Sequence, residues 1–215
     1  VAPDARLHAV RAFFGHASFS IAQSSTAILL RALDWSVSSG ARVINMSFAG
    51  PKDDDIAEAI GLAAKQGMIM VAAAGNGGRE AKPAYPAAYA EVIAVTATDE
   101  YDRLYAKANR GAYVTVAAPG VDVFVLTPGN GHGYTSGTSM AAAHVSGLVA
   151  LILERNHELG RAAVRSAIVR TARDLGAEGI DVEFGAGRVD AAALLQAVPV
   201  RDGPPLSIAK TRRGD

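Results

Sequence analysis

RVINMSFAGPKDDDIAEAIGLAAKQGMIMVAAAGN (residues 42–76) decides the fold. It opens on a β-branched apolar run, 42–48, which predicts a buried strand. Ala49-Gly50-Pro51 ends that run. Residues 54–66 set Ile56, Ala59, Ile60 and Ala63 on one helical face, and Gly67 is the stop. MIMVAAA (68–74) is a second buried strand that runs into glycine and asparagine. Strand, helix and strand at this spacing predict a right-handed βαβ unit in a parallel sheet. Asp53-Asp54-Asp55 reads as an acidic helix start, with cation binding as the alternative.

Working outward, LHAVRAF (7–13) reads as a strand and 14–24 as a Gly/Ser-rich loop. Residues 25–39 place Ile28, Leu29, Ala32, Leu33 and Trp35 at helical spacing, before Gly40. Residues 91–98, 113–119 and 122–126 read as strands; 138–156, 161–172 and 188–197 read as helices. No internal repeat is visible. The class is α/β with a mainly parallel sheet. The reading gives one domain over 1–197, followed by a polar tail or linker over 198–215. Ligands of such sheets bind at the carboxyl ends of the strands. Two stretches stand there: VAAAGNGG (71–78) and GTSMAAAHVSG (137–147).

Composition narrows the function. The 215 residues carry 21 basic and 21 acidic side chains, so a nucleic-acid partner is not expected. No apolar run approaches the ~18 residues of a membrane span, and no membrane partner is expected. There is no cysteine, hence no disulfide and no thiolate metal site. The first residue is Val1 rather than methionine, which predicts that an N-terminal part is missing.

Ser139 follows Gly137-Thr138 at the start of a predicted helix. A serine there has its own amide and the positive helix end beside it, which suits a nucleophile whose product is an oxyanion. The alternative is a plain N-cap serine. His144 is a poor base for it, because five helical residues rotate a side chain by roughly 500° and raise it by about 7.5 Å. It reads as a buried, hydrogen-bonded helix residue.

GTSMAAAHVSG is similar to the nucleophile motif of the subtilisin-like serine peptidases, the subtilases. Further stretches resemble that family in order: VAPDARLHAVRAF, RVINMSFAG, VAAAGN, YPAAYAEVIAVTATD, the APG at 118–120, and FGAGRVDAA at 184–192. The resemblance covers about residues 1 to 197. It implies a three-layer αβα fold lacking its N-terminal strands. It implies Ser139 as nucleophile and Asn76 as side-chain donor of the oxyanion hole. Ser47, Phe48 and Ala49 match the strand that pairs with an extended peptide or protein substrate. Ala73, Ala74 and Gly75 match one wall of a side-chain pocket, and small Ala84 and Gly77 suggest room for an uncharged side chain. Export from the cell is favoured by the resemblance alone.

The departures are as informative. The family also needs an aspartate in an Asp-Thr-Gly or Asp-Ser-Gly setting and a histidine in a His-Gly-Thr-His setting. None of His8, His16, His132, His144 and His157 has that setting, and no aspartate precedes Thr-Gly or Ser-Gly. The simplest expectation is truncation, with an inactive isolated chain. His132, in GNGHGY, reads as a loop histidine and is the one candidate stand-in base. The proline expected four residues after the serine is Ala143, which favours helix. Calcium occurs in the intact family fold. Here Thr115 falls at the acidic position of the second cation site, near Ala87–Val92, so no metal is expected.

In the family fold the aspartate-bearing strand lies between those matching 7–13 and 42–48. Without it, 7–13 should pair directly with 42–48, or the chain should recruit a second copy or the missing N-terminal segment. Two other functions remain: a non-catalytic pseudo-peptidase that binds extended peptides, and a dinucleotide-binding domain. The second lacks G-x-G-x-x-G.

Overall fold

The computed structural model describes residues 1–15, 22–127 and 129–201. Eleven elements follow in order among them: α1 (Thr26–Ser38), β1 (Val43–Met46), α2 (Asp54–Lys65), β2 (Ile69–Ala73), β3 (Val92–Thr98), β4 (Val116–Pro119), β5 (Val123–Thr127), β6 (Gly131–Thr135), α3 (Thr138–Arg155), α4 (Arg161–Thr171) and α5 (Ala191–Ala197). Strands β1 to β4 form one parallel sheet in that spatial order. β5 and β6 form a separate antiparallel ribbon.

The sheet is covered on both faces, which explains why the central strand β2 is apolar and buried throughout. Ile69, Val71, Ile93, Val95, Val116 and Ala118 point to the side of α3, α4 and α5, where Val145, Val149 and Ile152 are fully buried. The alternate residues Met70, Ala72, Val92 and Ala94 meet Leu33, Ile56 and Ile60 of α1 and α2. The period of two along each strand thus builds three layers. Asp53 caps α2, accepting the Ile56 amide at 3.1 Å. Thr26 Oγ1 donates to its other carboxylate oxygen, tying α1 to α2.

Strand β1 is the open side of the sheet. Its start is held by Arg42, whose guanidinium donates to the carbonyls of His157 and Leu159 at 2.9 and 3.2 Å. Beyond its edge lies a cleft of about 1100 Å³, bounded by α1, by Ala150 and Leu153 of α3, and by residues from Ala5 to Phe13.

Several sequence expectations change. Residues 7–13 are not a strand and do not pair with β1; Leu7 is 89% exposed. An extended pattern becomes a strand only where a neighbour takes its backbone groups, and here the cleft intervenes. The strand expected over 113–119 begins at Val116, because a turn joins the Val114 amide to the Gly111 carbonyl. The last helix starts at Ala191 behind its Asp190 cap. His132 is in strand β6, opposite Leu126, rather than in a loop. Residues 202–215, most of the expected tail, lie outside the described residues, as does His16.

Candidate active site

Two strand-to-turn junctions meet at the N-terminus of α3. After β2 the chain turns at Gly75, whose φ of +109° is the left-handed region that favours glycine. A Cβ there would stand 2.5 Å from Asn109 Nδ2. The turn presents Asn76 at the surface. Its Oδ1 accepts two hydrogen bonds from Thr138, from the amide and from Oγ1, both at 3.0 Å. Thr138 Oγ1 in turn accepts the buried Gly75 amide at 3.1 Å. The amide oxygen is therefore engaged, and Nδ2 lies beside Gly137.

Gly137, not Ser139, occupies the N-cap of α3, and Ser139 is the second helical residue. This removes the N-cap reading of Ser139. Gly137 is pinned by its amide to the Gly120 carbonyl at 2.7 Å. An amide in the first helical turn has no intrahelical carbonyl, so that of Ser139 faces out with the positive end of α3. The asparagine-bearing turn and the first turn of α3 are thus joined through Thr138, the residue before Ser139.

Ser139 is also locked to the end of β1. Its Oγ donates to the Ser47 carbonyl at 3.2 Å, and Ser47 Oγ donates to the Ser139 carbonyl at 3.1 Å. Asn45 Nδ2 supports Ser47 Oγ at 2.9 Å, and Ser146 Oγ lies 3.0 Å from Asn45 Oδ1. Residues 47–49 carry no backbone-to-backbone bond among the described residues, so this edge is open for pairing. Phe48 packs on Phe13 at 5.0 Å between ring centroids. Ala73, Ala74 and Gly75 are all buried, and the Ala74 carbonyl accepts Tyr113 Oη at 2.7 Å.

No described histidine hydrogen-bonds Ser139. His144 is half-buried rather than buried, and its Nδ1 meets the Met140 carbonyl at 3.0 Å. His132 is exposed and packs on Phe124, 5.2 Å between centroids. His8 stands 6.0 Å from Trp35. Sequence motifs single out Ser139 and Asn76 but miss Thr138, which joins them. Its only signal is a β-branched residue beside a serine.

A parallel sheet with a serine at a helix start beside an asparagine-bearing turn defines the class of subtilisin-like peptidase domains. Residues 1–187 match the family model described as Subtilase family. The chain is 39% identical over 186 residues to the Thermophilic serine proteinase of Bacillus sp. (strain AK1), covering 86% of this chain and 44% of that protein. It is 34% identical over 194 residues to Subtilisin Savinase of Lederbergia lenta, covering 90% and 69%. It is also similar to the solved structure of the Prenylagaramide maturation protease PagA, with TM-score 0.75, 26% identity, and coverage of 86% and 71%. The chain belongs to the subtilase family. It spans about half the length of the first curated relatives it matches, 44% and 49%.

Proposed function

We propose that this chain carries the nucleophile half of a serine endopeptidase site, and that the base comes from polypeptide outside these 215 residues. The observation that carries the reading is the pair of hydrogen bonds from Thr138 to Asn76 Oδ1, which joins the asparagine-bearing turn to the head of α3 one residue before Ser139. Ser139 attacks the scissile carbonyl, forming an ester to the peptide and releasing the amine product; water then hydrolyses that ester. The Ser139 amide and Asn76 Nδ2 hold the negative oxygen of each tetrahedral intermediate. Loss of one such side-chain donor costs about 10²–10³ in kcat, a magnitude established within the subtilisin family itself. The substrate is an extended peptide or protein segment, added along residues 47–49 by main-chain pairing. Residues 1–197 act as one unit in this reading, and export from the cell accords with the family.

Support for an external base comes from the hydroxyl itself. Ser139 Oγ gives its proton to a carbonyl, which cannot act as a general base. The open edge of β1 and its cleft offer room for an added segment. The test is labelling with a fluorophosphonate, read by intact mass, with Ser139→Ala as control. The chain alone should stay unlabelled. Labelling should appear once a subtilase N-terminal segment bearing the Asp and His motifs is added. Stoichiometric labelling of the chain alone would overturn the external base.

The same serine-to-carbonyl bond favours one second reading, a pseudo-peptidase that binds extended peptides without cleaving them. Peptide binding that persists with no labelling in any mixture would select it.

A further inference from the structure

The family resemblance implies a cation held by backbone carbonyls in Ala87–Val92 and an acidic side chain at the place of Thr115. The residues present do not fit a cation. Thr115 is 5% exposed, and its hydroxyl accepts the Ala94 amide at 3.2 Å. A neutral oxygen already engaged by backbone stands where the carboxylate is needed. The Tyr89 carbonyl accepts the Val92 amide at 3.0 Å. The Val92 carbonyl accepts Arg165 Nη1 at 2.9 Å. Arg161 lies one turn earlier on the same face of α4. Among the described residues neither arginine forms an ion pair with a carboxylate. Calcium asks for six to eight oxygens with carboxylates among them. Here it would meet two uncompensated positive charges.

We propose that Arg165 does the work of a bound cation in this chain: its guanidinium, fixed on the Val92 carbonyl, ties α4 to the entrance of β3 without metal. The bond joins residues 73 positions apart. It therefore clamps the C-terminal helices to the middle of the sheet, near the strand that leads toward the site. A planar guanidinium is always charged and needs no ion from solution. Metal depletion should leave this clamp intact.

Thermal unfolding of the 215-residue chain tests this, with 5 mM CaCl₂ against EDTA, on three proteins: the wild type, Arg165→Met, and Arg165→Met/Thr115→Asp. The single variant should lose about 4–8 °C in Tm in EDTA, the size expected for a charged hydrogen bond in a domain this large. The double variant frees the carbonyl and restores the carboxylate. Its calcium-dependent rise should exceed that of the wild type by about 3 °C or more. Calcium bound elsewhere raises all three alike and cancels in that difference. A wild type that gains as much from calcium as the double variant overturns the proposal. So does an Arg165→Met protein as stable as the wild type, a measurement that decides the matter even if the double variant fails to fold.

Discussion

The junction of β2 with α3 and the outer edge of β1 are neighbours with opposite construction. At the junction three hydrogen bonds tie Gly75, Asn76 and Thr138 together, and Gly75, Gly137 and Thr138 are buried. At the edge, residues 47–49 make no backbone-to-backbone bond among the described residues, and a cleft of about 1100 Å³ runs alongside. The difference teaches where the chain is self-sufficient. It closes the junction that carries Asn76 and Thr138 with its own hydrogen bonds, and it leaves the side of residues 47–49 open.

The largest effect should come from the closed junction. Gly75→Ala puts a Cβ into the Asn109 side chain and forces alanine to a positive φ. It should cost about 3 kcal/mol in urea unfolding; a loss under about 1 kcal/mol would show that the junction is loose. Thr138→Val keeps the shape but strands the buried Gly75 amide and removes one donor to Asn76. About 2 kcal/mol should be lost. An unchanged midpoint would mean that Asn76 is not held from Thr138.

The smallest effect belongs to the open side, where Asp53 ties α1, a wall of the cleft, to α2. The Thr26 hydroxyl, and then the Ile56 amide, hold the Asp53 carboxyl below its ordinary value. A lowered carboxyl contributes stability above its unfolded pKa and loses it as pH falls through the folded one, here below about pH 4. Asp53→Asn should therefore be less stable than wild type at pH 6, and the two should converge in acid. A constant gap down to pH 2 would break the link between this cap and the proton.

Much of this architecture was legible in particular stretches. Residues 42–76 announced two strands and a helix because β-branched runs and helical spacing differ in period, and Asp53 marked the helix start. LHAVRAF misled because an apolar extended pattern says nothing about whether a neighbour exists. Strand β6 was missed for the opposite reason. GHGYT has two glycines and little alternation, yet it pairs through Phe124 with Tyr134 and Leu126 with His132 across the ribbon. At the site, Ser139 and Asn76 were recognisable from local motifs. The reciprocal bonds between Ser47 and Ser139 were not, because they join residues 92 positions apart. Only the folded sheet brings them together.

Arg42 gives strand β1 a mechanical character. The strand is clamped at its beginning to the turn between α3 and α4, and paired along one side only with β2. It is a bracket fixed at two points, its root through Arg42 and its far end through Ser47. The tip carries Ser47, and through Ser47 it touches Ser139. Any shift of this end is therefore passed to Ser139 through two hydrogen bonds, with no other residue between them.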